Sequence, residues 1–260
     1  AECLESNIGC NKNIGRLQET IRSLSTILKV AQVLRSPYLS RALLQHRVLA
    51  AVEHRRVLAP DLATIIDVGA NRGQFALAAR HWSPRARVIS FEPLPGPAAL
   101  FRRVFAGDPL ITLHQSALGT SRATLTMHIS ARDDSSSLLP ISATQSSIFP
   151  GTAEVGSLKV PVAPLSDFVQ ANELRSPAMI KLDVQGYEYD ALLGCESVLP
   201  CVQWIYCECS FLELYTGQKL APEVISLLAQ RGFQLVGIQN PCWDLAGRSV
   251  QADLLFARSS

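Results

Sequence analysis

Four acidic residues stand at or near the ends of apolar, strand-like stretches, and they are the side chains best placed to do chemistry. They are Asp67, Glu92, Asp183 and Glu208. In an open parallel sheet the carboxyl ends of the strands meet at one edge, where ligands bind. Carboxylates that converge at such an edge are unfavourable unless a ligand or a cation neutralises them. The pattern therefore predicts a site for a positively charged ligand.

The segment around Asp67 narrows the choice of ligand. An apolar strand over 64–68 runs into a loop with Gly69 and Gly73, and a helical pattern follows. Glycine lacks the Cβ that would keep a backbone from approaching a ligand closely. The carboxylate of Asp67 stands where a dinucleotide would place its pyrophosphate, which favours a cofactor with a cationic, amine-bearing end. S-adenosylmethionine is such a cofactor.

Glu92 supports a nucleoside cofactor. It ends the second apolar strand, 25 positions after Asp67, which is close to the spacing of about 20 residues at which an acid binds ribose hydroxyls beyond a glycine loop. Pro93 stops the strand and turns the chain. A nicotinamide dehydrogenase is disfavoured, because its GxGxxG loop would need glycine where Asn71 stands.

The order of several motifs resembles that of the FkbM family of class I S-adenosylmethionine-dependent methyltransferases. The matching segments are DVGANRG at 67–73, FEPLP at 91–95, QSALG at 115–119, DSSSL at 134–138, IKLDVQGYE at 180–188 and DLLF at 253–256. The resemblance spans roughly residues 64–257 and departs at Gln185, where the family commonly has glutamate. A catalytic carboxylate is therefore not expected at that position.

The resemblance implies transfer of a methyl group to a hydroxyl oxygen, often on a sugar or polyketide-type acceptor. The small-molecule or carbohydrate acceptor is thus the expected partner, with S-adenosylmethionine as cofactor. The cofactor contacts that it implies are Gly69, Asn71, Gly73 and Gln74 near the methionine part, Glu92, followed by Pro93, at the ribose, Ser116 and Ala117 at the adenine, and Asp183 at the reacting methyl group.

Methyl transfer to an alcohol needs positioned reactants and a group that assists loss of the hydroxyl proton. Asp183 is the first candidate for this general base and Glu208 is the second. Lys181 lies two positions before Asp183, so both side chains point to the same face of the strand. Lys181 could pair with Asp183 and tune it, or neutralise the acidic cluster.

A metal ion and a histidine base are the alternatives. Asp183 and Glu208, at adjacent strand ends, could hold a divalent cation, because hard cations take oxygen ligands. His81, His114 and His128 are weaker candidates for the base, since a lone histidine is more often structural.

From residue 64 onward, strands and helices alternate. This alternation predicts an α/β domain over 61–260, with a doubly wound, mostly parallel seven-stranded sheet. The strands expected near 233–239 and 252–257 have no helical pattern between them, so they form an antiparallel pair. The polar, serine-rich stretch 130–157 is long for a connection and is interpreted as a mobile lid, with a plain flexible loop as the alternative.

Residues 1–60 are interpreted as a helical, basic extension outside the resemblance. A heptad spacing joins Ile14, Leu17, Ile21, Leu24, Leu28 and Ala31. Pro37 interrupts it, and a second helix is predicted over 40–58. The extension could pack on the domain, form a homodimer, or cap the substrate or bind an anionic surface. A non-catalytic scaffold acting through these helices is the alternative function.

Composition excludes several classes of protein. A hydrophobic content of 48% with 18% charged residues fits a globular chain, and the net charge of +2 is too small to argue for nucleic acid. No apolar run reaches the roughly 18–20 residues of a membrane span, so a cytoplasmic protein is expected. The seven cysteines show no metal-binding spacing. Reduced, mostly buried thiols are expected, with Cys3 and Cys10 the most exposed.

Overall fold

The computed structural model describes residues 26–259, and ten strands form its scaffold. In chain order they are β1 (Thr64–Val68), β2 (Arg87–Phe91), β3 (Ile111–His114), β4 (Ala117–Leu118), β5 (Ala123–Ser130), β6 (Glu154–Ala163), β7 (Ala178–Leu182), β8 (Trp204–Ser210), β9 (Phe233–Trp243) and β10 (Ser249–Arg258). Seven strands form one sheet in the order β3-β2-β1-β7-β8-β10-β9, and three form a small sheet in the order β4-β6-β5.

The large sheet is the predicted doubly wound, mostly parallel sheet. β10 runs antiparallel to both of its neighbours, whereas β1 pairs in parallel with β2 and β7. The prediction of a seven-stranded sheet with one antiparallel strand is therefore confirmed. The small sheet was not predicted as a unit, because a sequence pattern does not show which distant strands pair, although Leu125, Met127 and Ile129 of β5 alternate with polar residues as expected for a strand.

Helices cover both faces of the large sheet. They are α1 (helical from residue 26 to 34), α2 (Pro37–His46), α3 (Gln74–Trp82), α4 (Pro95–Val104), α5 (Ala143–Ile148), α6 (Glu188–Gly194) and α7 (Ala221–Gln230). None of the helices within residues 26–259 is long and apolar enough to cross a membrane.

Burial on both faces explains why β1 is apolar along most of its length. Ile66 belongs to a buried cluster with residues of α6 and α7, whereas its neighbour Ile65 belongs to a second cluster with residues of α2, α3 and α4. Adjacent residues of a strand point to opposite faces, so the sheet separates two cores.

The N-terminal extension differs from its prediction in detail. The predicted interruption at Pro37 is present, since α1 ends at residue 34 and Pro37 begins α2. Proline fits this first turn, and Ser36 Oγ accepts a hydrogen bond from the Leu39 amide. The helix predicted over 40–58 stops early, since Arg47 adopts a left-handed conformation with φ of 57°. A short 3-10 helix follows at Val52–Val57.

The described part of the extension shares a core with the sheet. Val33, Leu39 and Val52 lie in the same buried cluster as Phe75 of α3 and Ile65 of β1. The predicted heptad positions from Ile14 to Leu24, and the two cysteines at the start of the chain, lie outside the described residues.

The stretch 130–157 is more regular than expected. It contains a 3-10 turn at Asp133–Ser135, the helix α5 and the start of β6. Ser142 caps α5 by accepting a hydrogen bond from the Gln145 amide, and β6 pairs antiparallel with β5. Polar side chains gave no periodic apolar signal for these elements, so the sequence indicated only a loop.

Candidate active site

A cavity of about 310 Å³ lies at the carboxyl ends of β1, β2 and β7. It brings together most of the residues predicted for the site. Those that line it are Gly69, Asn71, Gln74, Glu92, Pro93, Ser116, Ala117, Lys181 and Asp183. The predicted residues Asp67, Gly73 and Glu208 are not among its lining residues, and each has a different place in the structure.

The glycines of the loop after β1 permit close backbone packing. A Cβ on Gly69, which has φ of +78°, would lie 1.9 Å from the carbonyl oxygen of Asp183. A Cβ on Gly73, with φ of +93°, would lie 2.4 Å from the ring of Phe105. Gly69 therefore lets the loops after β1 and β7 meet at the cavity, whereas Gly73 fits the start of α3 against the region after α4.

Glu92 anchors the loop after β1. Its Oε2 accepts a hydrogen bond from the Asn71 amide at 2.9 Å, and its Oε1 accepts one from the Leu94 amide at 2.8 Å. Burial raises the pKa of Glu92 to about 7, against the opposing effect of these two amides. Each carboxylate oxygen can accept a further hydrogen bond, so Glu92 can hold the loop and a ligand hydroxyl at the same time.

A row of polar side chains crosses the buried face of the sheet. In register, Asp67 of β1 stands beside Lys181 of β7, and Lys181 stands beside Tyr206 of β8. Lys181 Nζ lies 3.4 Å from Asp67 Oδ1 and 3.6 Å from Asp183 Oδ2, and it donates a hydrogen bond to the Gly69 carbonyl. One cation thus connects the buried acid to the acid in the cavity.

The charges of this row are set by burial and by neighbours. Burial alone would lower the pKa of Lys181, but Asp183 and Asp67 raise it above its usual value. Burial raises the pKa of Asp67, and Lys181 opposes that effect. The sequence predicted that Asp67 lies beside the amine-bearing end of the cofactor. In the structure Asp67 is fully buried, and its charged partner is Lys181.

Asp183 and Glu208 are joined by an amide. Gln185 Nε2 donates to Asp183 Oδ1 at 2.7 Å and to Glu208 Oε2 at 3.0 Å. Gln251 Nε2 donates to Glu208 Oε1 at 2.6 Å, while the Tyr215 hydroxyl donates to Gln185 Oε1. Burial raises the pKa of Glu208 well above its usual value, and Asp183 raises it further.

This arrangement bears on the predicted divalent cation. The amide of Gln185 takes the position between the two carboxylates, as a donor to both. Among residues 26–259, no group of three or more His, Cys, Asp or Glu side chains is placed to hold a metal ion. The departure from the family pattern at Gln185 therefore has a structural role as a bridge.

A second wall of the cavity comes from the N-terminal extension, for which capping of the substrate was one of several roles left open by the sequence, although none of its residues was named as a site residue. Lys29, Glu53 and His54 line it, and Lys29 Nζ donates to Glu53 Oε1 at 2.7 Å. His54 Nδ1 lies 2.9 Å from the Tyr206 hydroxyl. No spacing in the sequence marks His54, because only the packing of the extension on β8 brings the two residues together.

The histidines weighed from the sequence are elsewhere. His81 lies at the end of α3 next to Ser36, and His128 pairs with Glu154 across the small sheet. His114 stacks on Phe91. None of the three is a lining residue of the cavity among residues 26–259.

The sheet order, the glycine loop and the strand-end acids define a class I S-adenosylmethionine-dependent methyltransferase. A family profile described as "Methyltransferase FkbM domain" matches residues 67–235. The chain therefore belongs to the FkbM methyltransferase family, and it is a S-adenosylmethionine-dependent methyltransferase.

Two relatives named as methyltransferases agree with this assignment, and a solved structure shares the fold. The chain is 29% identical over 213 residues to the 2-O-methyltransferase NoeI of Sinorhizobium fredii, covering 78% of this chain and 84% of that protein. It is 26% identical over 197 residues to Methyltransferase 1 of Beauveria bassiana, covering 71% and 77%. A putative O-methyltransferase from Klebsiella pneumoniae superposes with a TM-score of 0.51 at 13% identity, covering 92% and 97%, and this likeness concerns the fold.

The residues of the cavity fit this cofactor. Gly69 leaves open the space that a Cβ would fill beside Asp183, and Glu92 presents a buried carboxylate at the end of β2. Asp183 offers a carboxylate for a cationic sulfur, because 38% of its side chain is exposed. An acidic, backbone-lined cavity of this kind suits a positively charged nucleoside better than a phosphate-bearing one.

Proposed function

We propose that the protein transfers the methyl group of S-adenosylmethionine to a hydroxyl oxygen of a small molecule, a sugar or a glycoconjugate. The observation that carries this proposal is the continuity of one cavity between two unlike surfaces. One is the cofactor wall, formed by the loop after β1 and the ends of β2 and β3. The other is the acceptor wall, formed by Lys29, Glu53 and His54 opposite Asp183.

The cofactor wall is proposed to bind each part of the cofactor separately. Glu92 accepts hydrogen bonds from the ribose hydroxyls. The methionine part lies along Gly69, Asn71 and Gln74. The adenine lies between the residues after β3, Ser116 and Ala117, and the turn that begins at Pro93. The bound cofactor supplies an electrophilic methyl group on a positively charged sulfur.

Asp183 and Lys181 are proposed to position the reacting groups. One oxygen of Asp183 accepts from Gln185 and the other faces Lys181. A carboxylate held in this way can accept a hydrogen bond from an acceptor hydroxyl and stabilise the nearby positive charge. Lys181 keeps the carboxylate in place through its link to Asp67.

Oxygen as the acceptor atom has support from a relative and from the site. NoeI is named a 2-O-methyltransferase. The acceptor wall carries acidic, basic and imidazole groups within one surface, which suits an acceptor with several hydroxyls. The N-terminal extension is therefore proposed to cap the acceptor, and the stretch 130–157 to act as the lid, because Asp133, Ser136 and Leu138 also line the cavity.

Two parts of the proposal concern the whole protein. A cytoplasmic location is supported by the free thiols of Cys195, Cys201, Cys207 and Cys209, since such thiols are typical of a reducing compartment. Homodimerisation through the N-terminal helices stays a prediction. Light scattering would test it by comparing the molar mass of the full chain with that of a chain that begins at residue 26.

A methyl-transfer screen tests the proposed reaction. The protein is incubated with tritiated S-adenosylmethionine and methyl glycosides, glycolipids or hydroxylated polyketides, with matched amines and thiols as alternative acceptors. We expect label to enter hydroxylated compounds, and Asp183→Ala to abolish most of it while Asp61→Ala, on an exposed turn, does not. Transfer only to nitrogen or sulfur would contradict the proposal, and cofactor binding without any turnover would favour the scaffold.

A chelation experiment tests the divalent cation separately. We expect turnover to stay unchanged in excess EDTA, because the Gln185 amide already joins Asp183 to Glu208. Activity that disappears with EDTA and returns with Mg²⁺ would show that the two carboxylates bind a metal in the working enzyme.

A further inference from the structure

We propose that His54 takes the proton from the acceptor hydroxyl, as a neutral imidazole held in one tautomer by Tyr206 and Asp253. The proposal rests on the proposed function, since it assumes a hydroxyl acceptor. It assigns the catalytic base to the N-terminal extension instead of a strand-end acid.

The position of His54 is fixed by its neighbours. Its ring meets the ring of Phe75 edge-on with centroids 5.5 Å apart, and that of Tyr206 edge-on at 5.4 Å. Only 15% of the side chain is exposed, yet His54 lines the same cavity as Asp183. A side chain locked on two sides and open to the cavity is suited to a defined proton transfer.

The hydrogen bonds determine which ring nitrogen carries the proton. The Tyr206 hydroxyl has a single proton and donates it to Asp253 Oδ2 at 2.9 Å. Asn240 Nδ2 also donates to Asp253 Oδ2, at 2.7 Å. Asn240 Nδ2 also lies 3.2 Å from the Tyr206 oxygen and 3.4 Å from His54 Nδ1. Because the Tyr206 proton is donated to Asp253, the shorter contact of 2.9 Å between the Tyr206 oxygen and His54 Nδ1 needs a proton on Nδ1. With the proton on Nδ1, Nε2 carries the lone pair.

Nε2 is available for a proton from a ligand. Within residues 26–259 no hydrogen bond reaches this nitrogen, whereas Nδ1 faces Tyr206 and, at 3.7 Å, Asp253 Oδ2. The arrangement is comparable to active sites in which a carboxylate accepts a hydrogen bond from Nδ1 of a histidine and so orients its ring. Here Tyr206 stands between the carboxylate and the imidazole.

The acids at the strand ends are less suited to the same task. Asp183 Oδ1 already accepts a hydrogen bond from Gln185, and its other oxygen faces a cation. Glu208 accepts one hydrogen bond at each oxygen, from Gln185 and from Gln251, and it does not line the cavity within the described chain. His54 lines the cavity, its Nε2 accepts no hydrogen bond within residues 26–259, and an imidazole has the basicity that a general base needs near neutral pH.

The charged surroundings of His54 keep it neutral and then stabilise its cation. The groups that face it are Glu53 on its own turn, Lys181 of β7, Asp183 after β7, Tyr206 of β8 and Asp253 of β10. Burial lowers the pKa of His54, while Asp253 and Glu53 oppose that shift. The imidazole is therefore neutral at neutral pH, and turnover falls as the pH drops and Nε2 becomes protonated.

The step conserves atoms and charge. The acceptor O–H bond breaks and its proton moves to Nε2. A new bond forms between the acceptor oxygen and the methyl carbon, while the carbon–sulfur bond breaks and its electron pair stays on sulfur. The positive charge passes from sulfur to the imidazolium, beside Asp253 and Glu53, and the proton later leaves to water.

A spectroscopic experiment tests the tautomer without any acceptor. The probe is protein labelled with ¹⁵N in its five histidines, bound to S-adenosylhomocysteine, with the His54 signals identified by their loss in His54→Gln. We expect the neutral form to carry its proton on Nδ1 and to titrate below the usual range. A neutral Nε2–H tautomer would overturn the proposal even if no acceptor is known.

A kinetic experiment tests the role, using the methyl glycoside or glycolipid that gives the fastest tritium transfer. We expect His54→Gln and His54→Ala to lower kcat by about 10²–10³-fold, to change the Kd for S-adenosylmethionine by less than about 3-fold, and to remove the acid limb of the pH profile. Asp253→Asn, a positioning change, should move that limb to lower pH, because Asp253 raises the pKa of His54.

The control is His81→Gln, which changes a histidine outside the cavity and should leave kcat unchanged. Variants of His54 with near-normal kcat, or with the acid limb retained, would overturn the assignment. A wild-type protein that methylates only amines or thiols would instead contradict the proposed function, so the two failures are distinguishable. Cofactor binding by the variants shows that they are folded.

Discussion

The cofactor wall and the acceptor wall line one cavity, but the chain builds them in different ways. The cofactor wall consists mainly of backbone from short loops that follow strands, tied together by the hydrogen bond from the Asn71 amide to Glu92. The acceptor wall consists of side chains from the N-terminal extension, and His54 there is supported by Tyr206 of β8 and Asp253 of β10.

The difference shows how one fold can serve different acceptors. A cofactor that does not change is held by backbone positions that leave little room for variation, as Gly69 illustrates. The proposed acceptor wall is formed instead by side chains of a segment that lies outside the large sheet and outside the matched family profile. Function then resides in a site placed on a common fold.

The largest effect is expected at Lys181, which pairs with the buried Asp67 and with Asp183 in the cavity. Lys181→Met leaves Asp67 buried without its cation, and removal of one partner of a buried pair destabilises by about 3–5 kcal/mol. Urea unfolding would measure this loss of stability. The matched control is Lys159→Met, at an exposed position of β6.

The pH dependence of this variant has a definite sign. Burial raises the pKa of Asp67, and a group whose folded pKa lies above its unfolded value loses stabilising free energy as the pH rises. The loss of unfolding free energy in Lys181→Met should therefore become smaller as the pH falls from about 8 to about 5. The double variant Lys181→Met/Asp67→Asn should recover part of that loss. A deficit independent of pH would show that Asp67 is not the cause.

The next largest effect is expected at Gly69, which belongs to the cofactor wall and not to the acceptor wall. Alanine there would bring its Cβ to 1.9 Å from the Asp183 carbonyl oxygen in a left-handed backbone conformation, so the loop must move. A displacement and strain of about 2–3 kcal/mol corresponds to roughly 100-fold weaker cofactor binding. Gly96→Ala is the control, because nothing lies within 4 Å of its added Cβ. Equal affinity of both variants would contradict a tight loop.

A smaller effect is expected where Gln185 bridges the strand-end acids. Gln185→Glu removes the two donated hydrogen bonds and adds a like charge beside Asp183 and Glu208, which should destabilise by about 1–2 kcal/mol. Mg²⁺ or Ca²⁺ should then raise the melting temperature of this variant but not that of wild type or Gln230→Glu. If Mg²⁺ or Ca²⁺ raised the melting temperature of wild type equally, the result would support a divalent cation bound by Asp183 and Glu208.

The smallest effect concerns Glu92 and pH. Burial raises the pKa of Glu92 to about 7, so the carboxylate proposed to accept from the ribose is protonated as the pH falls. The affinity for S-adenosylmethionine should then weaken about tenfold from about pH 8 to about pH 6. The apo protein should show the opposite trend in stability, since the raised pKa favours folding below the unfolded value of 4.5. Glu92→Gln should flatten both trends, and an unchanged slope would assign them to another group.

The cofactor wall was largely predictable because its signals are local. The bounds of β1 and β2, the glycines of the loop and the position of Glu92 follow from spacing within about 25 residues. The register that places Asp67, Lys181 and Tyr206 side by side joins distant segments, so Asp67 was expected in the cavity and is instead buried behind it.

The acceptor wall was not predictable for the same reason. His54 lies in a basic stretch with no special spacing, and its partners are 152 positions away for Tyr206 and further still for Asp253. Its role depends on the extension packing over α3 and β8. The polar stretch 130–157 likewise gave no periodic signal for α5 or for the start of β6.

Calorimetric titration of S-adenosylmethionine into wild type, Glu92→Ala and His54→Gln tests the separation of the two walls most directly. We expect wild type and His54→Gln to bind with affinities within about 3-fold of each other, while Glu92→Ala binds at least about 50-fold more weakly, because a charged hydrogen-bond acceptor and the anchor of the loop are both lost. Equal losses in the two variants, or no binding by wild type, would contradict the account.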